Sequence, residues 1–125
     1  PFETPRHALD AGLPLHAIST DLHKGCVNGP VYSQGRTMAK FLHLGLSLAE
    51  VIRLSTISPA QLIGWDDRLG SLATGREADI TLFRVIEGDF EFTDSEGEKE
   101  RASRDLEVVS TIRAGRVVRD VRRGA

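Results

Sequence analysis

The sequence predicts an α/β chain in which a helical, loop-bearing front of about residues 1–65 precedes an antiparallel β back of about residues 66–125. Three observations carry this. Leu48, Val51, Ile52 and Ser55 repeat at helical spacing behind a Ser47–Glu50 capping box. Residues 80–86 are dense in β-branched and aromatic side chains. Residues 108–113 and 116–119 flank Ala114-Gly115, a dipeptide suited to a tight hairpin.

A short helix opens the chain, with Thr4 as its N-cap and Pro5 as its first helical residue, where a missing N–H costs nothing. Ala8, Leu9 and Ala11 follow, and Gly12 closes the helix in the left-handed conformation. Residues 14–20 then read as a short strand. They are apolar to mixed without clean alternation, as in a strand buried on both faces. A long loop runs from Asp21 to about Arg36 and holds Gly25, Gly29, Pro30 and Gly35. Loops of that length inside a compact domain are more often functional than idle.

Met38, Phe41 and Leu42 share one face of the next helix, which Gly45 ends. After the Ser47-capped helix, Ser58-Pro59 restarts a short helix carrying Leu62 and Ile63, stopped by Gly64. Trp65 is expected to pack at the junction of the two halves. Beyond residues 80–86, Phe90-Glu91-Phe92-Thr93 alternates strictly, and residues 94–98 form a polar turn. The charge-dense stretch 96–105 reads as a solvated edge or a mobile hairpin tip.

Composition narrows the function classes. The 125 residues are 40% hydrophobic and 27% charged, as in one ordinary soluble domain. Sixteen Lys+Arg against eighteen Asp+Glu leave a formal charge of −2, which argues against nucleic acid as a partner. No apolar run approaches the ~20 residues that span a bilayer, so no membrane partner is expected. The start, Pro-Phe-Glu-Thr-Pro, has neither the basic nor the apolar character of a signal peptide. Lone Cys26 cannot form an internal disulfide, which favours a reducing, cytoplasmic compartment. The first residue is not Met, which raises the expectation of a piece of a longer chain.

Chemistry concentrates where the 14–20 strand gives way to Asp21, because α/β proteins place reactive groups at the C-terminal ends of strands. A helix cap or turn is the ordinary use of such an Asp. His23 either lines the same pocket or is a plain loop residue. Asn28-Gly29-Pro30 either presents amides to a substrate carbonyl or is an ordinary turn. His7, His16 and His43 stand singly without ligand spacing, His16 as a hydrogen-bonded core histidine and His43 on a helix flank. Gly70 and Gly75 serve turns rather than phosphate.

Three segments together resemble a known family. They are Ser19-Thr20-Asp21-Leu22-His23 with Asn28-Gly29-Pro30, then Ser58-Pro59-Ala60 with its closing Gly64, and the run Gly70-Ser71-Leu72…Gly75…Ala78-Asp79-Ile80, followed late by Thr111-Ile112-Arg113-Ala114-Gly115-Arg116-Val117-Val118. The pattern is similar to the C-terminal end of the amidohydrolase superfamily, and most similar to its amidohydrolase/deacetylase branch, related to dihydroorotases. The resemblance covers nearly the whole chain. It implies the C-terminal piece of a metal-dependent (β/α)8 barrel, with its last helix, strand and helix in residues 1–65, and the C-terminal strands of a small β-sandwich in residues 66–125.

The resemblance further implies hydrolysis of an N-acyl or cyclic amide of a small molecule by a metal-activated water. Asp21 would be both metal ligand and proton carrier, and His23, Asn28, Gly29 and Pro30 would contact substrate. The implied cofactor is a divalent metal, zinc, as one or two ions in the full-length protein. The family's His-x-His, lysine carboxylate and further histidines have no counterpart here. A zinc site takes about three or four protein ligands, and this chain offers one. The 125-residue chain is therefore expected to be inactive alone, with or without bound metal, and to associate with a missing N-terminal portion or with a second copy. A non-catalytic structural or interaction module is the alternative, since a fold alone does not decide function. A third reading is a self-standing α+β binding domain.

Overall fold

The computed structural model describes residues 2–19, 33–94 and 96–123. Helices lead and strands follow. The described elements are α1 (Glu3–Asp10), α2 (Gln34–His43), α3 (Leu48–Ser55), α4 (Ile57–Leu62), β1 (Ile80–Thr93), β2 (Lys99–Arg113), β3 (Arg116–Asp120) and a closing 3-10 turn (Val121–Arg123). The strands form one antiparallel meander in the order β1-β2-β3. The α/β content and the order of its halves follow the sequence expectation. Among the described residues no helix is long and apolar enough to cross a membrane.

Several helix ends form as their residues dictate. Ser33 caps α2 by accepting the Arg36 N–H at 3.1 Å, and Ser47 caps α3 by accepting the Glu50 N–H at 3.2 Å. Only half of the expected capping box forms, because Glu50 turns forward to a bidentate pair with Arg53 at 2.6 and 3.1 Å. Gly45 ends α2 with φ +106°, and paired bonds from Gly45 N–H to Leu42 C=O and from Leu46 N–H to Phe41 C=O close it. Helix α1 starts earlier than expected. Its N-cap is Phe2, not Thr4, with no side-chain cap. Pro5, the third residue of α1, is tolerated because N–H groups of the first turn have no intrahelical acceptor.

The expected strand over residues 14–20 does not form in its described part, 14–19. Residues 13–19 carry no strand, and Ile18 alone is buried among 14–19, with His16 exposed rather than in a core. A strand needs a hydrogen-bonded neighbour, and the described residues provide none beside this segment.

The β half is longer and more continuous than expected. Residues 80–86 and 90–93 belong to one 14-residue strand, whose register shifts between Glu87 and Phe90. Residues 99–113 are likewise one strand, so most of the charge-dense stretch is paired backbone rather than a mobile tip. The expected tight turn is present: Ala114 and Gly115 both have positive φ, +48° and +79°.

The core gathers Phe2, Ile18, Met38, Ala39, Leu42, Val51 and Leu54 from the helical half with Phe92, Ala102 and Leu106 from the far end of the β1–β2 hairpin. The alternation of residues 90–93 sends Phe92 fully inside and leaves Glu91 outside. Trp65 is less buried than expected, 48% exposed, with the Arg68 guanidinium 5.3 Å from its ring centre. Leu62, Ile63 and Leu72 are also exposed. Gly70 takes φ +90° where the chain passes over α4. A Cβ there would lie 2.9 Å from each of Ala60 Cβ, Ile57 Cα and the Thr56 carbonyl oxygen, so glycine is required there for packing.

Candidate functional site

Asp21, His23, Asn28, Gly29 and Pro30, the residues to which the sequence assigns chemistry, lie outside the described residues. The structure does describe both flanks of their segment. On the upstream side, Ile18 buries its side chain in the core, and its N–H donates to the Leu54 carbonyl at 2.9 Å. The Ser58 hydroxyl donates to the His16 carbonyl. On the downstream side, Ser33 caps α2, and Thr37 Oγ1 donates back to the Ser33 carbonyl at 3.1 Å. Gln34 links the two flanks: its Nε2 donates to the Ile18 carbonyl and to Ser55 Oγ, each at 3.4 Å.

Helix α2, which continues the downstream flank, is in turn held by the hairpin. Arg36 Nη1 donates to Asp105 Oδ2 and its Nη2 to the Glu91 carbonyl, both at 2.6 Å, and its guanidinium lies 4.7 Å from the Phe92 ring centre. Lys40 Nζ donates to the Thr93 carbonyl at 2.8 Å. Burial lowers the Lys40 pKa, with neighbouring Arg36 adding repulsion.

A second polar cluster joins α1, α2 and β2. Arg6 forks onto Glu100 at 2.6 and 3.1 Å, and His43 Nε2 meets Glu100 Oε1 at 2.8 Å. The Arg6 hydrogen bond, with that of His43, holds the Glu100 carboxyl below its ordinary range against the opposing effect of burial. This cluster brings one His and one Glu together, and Arg6 occupies both carboxylate oxygens. It is a structural clasp. Among the described residues no group of three or more His, Cys, Asp or Glu side chains could hold a metal ion.

The sequence gives Gln34 no role, and marks Ser58 as a helix start and as part of the Ser58-Pro59-Ala60 segment of the family likeness, without pointing to its bond with His16. The available signal for Ser58 was its place beside Pro59, and for Gln34 its place one residue past a capping Ser.

Comparison with known proteins agrees with this architecture. The chain is 36% identical over 105 residues to a deacetylase of Brucella anthropi, covering 82% of this chain and 25% of that protein. It superposes on the crystal structure of an adenine deaminase with a TM-score of 0.87 and 31% identity, covering 96% of this chain and 32% of that one. The crystal structure of a dihydroorotase gives a TM-score of 0.83 and 32% identity, covering 94% and 32%. The chain thus spans about a quarter of the length of the curated relative and about a third of the solved structures. The model of the amidohydrolase family matches residues 2–118, and the chain belongs to that family.

Proposed function

We propose that this chain is the C-terminal share of a metal-dependent hydrolase that cleaves an N-acyl or cyclic amide bond of a small molecule. The observation that carries the reading is the 36% identity to a deacetylase across four-fifths of the chain. The likeness to a dihydroorotase supports a cyclic amide as the other substrate form. In this reading residues 1–65 complete a (β/α)8 barrel and residues 66–125 belong to a β-sandwich. The core shared by α2 and the far end of the hairpin is then the seam between them.

Asp21 is the acid of this reading. Its carboxylate takes the proton of the attacking water and returns it to the leaving nitrogen as the C–N bond breaks. His23, Asn28, Gly29 and Pro30 contact the substrate. The described residues do not by themselves fit a divalent ion. Zinc is the ion the resemblance implies, and Asp21 is the one ligand this chain would offer it. Alone, the chain is inactive and associates with the remainder of the enzyme or with a second copy. Exposed Leu62, Ile63 and Leu72 supply apolar surface for that contact. Lone Cys26 fits a cytoplasmic setting.

The test is turnover of a panel of N-acyl and cyclic amides by the complete enzyme containing this sequence, with and without Asp21→Asn. The expected loss in kcat is at least ~100-fold, with the circular dichroism spectrum unchanged. Wild-type turnover by Asp21→Asn would overturn the role of Asp21. A complete protein that hydrolyses none of the panel would favour the non-catalytic scaffold.

A further inference from the structure

We infer that the β2–β3 turn end of the sheet is a face on which a second copy of this chain docks, arginines of one copy meeting aspartates of the other. This surface deepens the association proposed above by naming the second copy as partner and the residues that meet it. Hydrolysis stands or falls without it.

At two rungs of the β1–β2 ladder opposite charges face each other. Arg84 lies across from Glu107 and Glu91 across from Arg101, and both pairs form ion pairs, at 3.7 and 3.6 Å. The β2–β3 end does the reverse. Arg113 faces Arg116, and Arg119 faces Thr111. Residues 111 and 113 lie on one side of β2, because side chains alternate along a strand, so the three arginines share that side. All three are exposed, and among the described residues none has an ion-pair or hydrogen-bond partner for its side chain. Like charges directly opposite each other destabilise a ladder. Carboxylates closing over the pair relieve that cost, since a guanidinium can fork onto a carboxylate.

The acids that fit are at the same end of the molecule. Glu77 N–H donates to the Arg68 carbonyl at 3.0 Å, Gly115 N–H to the Ala78 carbonyl at 2.9 Å, and Ala114 N–H to Asp79 Oδ1 at 2.8 Å. These bonds set residues 65–69 beside the arginine-bearing turn. Asp66 and Asp67 are exposed there and, among the described residues, have no cation, because Arg68 pairs with Glu77 instead. Both signs are thus unsatisfied within one copy and lie side by side. A surface of that kind is self-complementary across a twofold axis. Trp65, half exposed, and Val118, 61% exposed, supply apolar anchors among the charges. The formal charge of −2 disfavours a nucleic acid on this face. A second copy brings acids to the arginines and arginines to the acids at once.

The experiment compares three forms of the complete enzyme containing this sequence: wild type, Arg113→Glu/Arg116→Glu and Asp66→Lys/Asp67→Lys. Sedimentation equilibrium should show a wild-type dimer whose Kd rises with salt, because exposed charge pairs are screened. Each variant alone should weaken the dimer by at least ~100-fold, since like charges then meet in both halves of the twofold contact. Mixed in equal amounts, the two variants should form a heterodimer with a Kd within about tenfold of wild type, because opposite charges again meet in both halves. That rescue requires both variants to be folded, and the four positions are exposed. A monomeric wild type overturns the inference. So do variants that dimerise as tightly as wild type, which places the interface elsewhere. Two weakened variants that form no heterodimer on mixing also overturn it, and leave a different acidic partner for the arginines. An intact dimer without amide turnover would sink the hydrolase reading alone.

Discussion

Asp94, just past the end of β1, accepts the backbone N–H of Phe2 at 2.9 Å across 92 positions of sequence. The same carboxylate accepts the N–H groups of Glu96 and Glu98, each at 2.9 Å, and so closes the hairpin turn as well. One buried side chain thus ties the hairpin tip to the entry of α1. Around it, Arg6–Glu100, His43–Glu100, Arg36–Asp105 and Lys40–Thr93 repeat the theme. Polar bonds rim a core in which Phe2 and Phe92 each meet His43 edge-on, at 6.2 and 6.3 Å.

Asp94→Ala should cost about 2 kcal/mol, since it leaves the buried Phe2 N–H unpaired and opens the hairpin turn. The effect should depend on pH. Burial pushes the Asp94 carboxyl upward, but the N–H bonds from Phe2, Glu96 and Glu98 outweigh it and hold the pKa below the ordinary value. A depressed folded-state pKa gives stability that is present above the unfolded value of ~3.9 and is lost as pH falls through the folded one. Urea midpoints at pH 6, 4 and 3 should therefore fall more steeply in the wild type than in Asp94→Asn. Equal slopes in the two proteins would refute the assignment.

Arg36 and Asp105 make a second case. Asp105 is buried and Arg36 is its cation, 69 residues away in sequence. Removing one partner of a buried pair leaves an uncompensated charge, typically costing ~3–5 kcal/mol. Arg36→Met should approach the lower figure, because the Leu106 N–H still reaches Asp105 at 2.8 Å. The double variant with Asp105→Leu should recover much of that loss. A double-mutant cycle from urea melts reads the difference, and strict additivity would show that the pair is not coupled.

These ties explain what could and could not be read from the sequence. Ser47 and Ala114-Gly115 act through neighbours within a few positions, so their residue types were enough. The 14–20 run failed because strand formation depends on a partner that no local pattern announces. Gly88-Asp89 divides the β1 pattern in sequence, yet the ladder continues past it with a register shift. Asp105 looked solvated because its cation is on α2. Ser58 stands in the Ser58-Pro59-Ala60 segment, yet nothing there announces its bond to the His16 carbonyl, and Gln34 stands in no motif. Their significance comes from facing the backbone of residues 16 and 18, which only the fold establishes.

Gly70 and Gly75 offer a controlled comparison, since both have φ +90°. Beside Gly75 a Cβ would meet nothing within 4 Å, whereas beside Gly70 it would press on α4. Gly75→Ala should therefore cost about 1 kcal/mol, the backbone penalty alone. Gly70→Ala adds overpacking and should cost roughly 3 kcal/mol. Thermal melts of the two variants measure the gap, and equal losses would mean that α4 yields freely.

Phe92 tests how the two halves cooperate. Its side chain is fully buried, and it lies on the hairpin among residues of α2 and the amino-terminal segment. Phe92→Ala should cost about 3–5 kcal/mol in lost burial and cavity formation. Phe90→Ala should cost less, because Phe90 is only partly buried and packs against the edge of the core. The sharper question is which signals move. If the helices and the hairpin held separate cores, Phe92→Ala would loosen the β1–β2 ladder and leave the helical circular dichroism transition in place. Because the core is shared, the helical transition and the exchange of the β1–β2 amides should shift together and by the same free energy. Two separated transitions would show that the seam does not couple the halves.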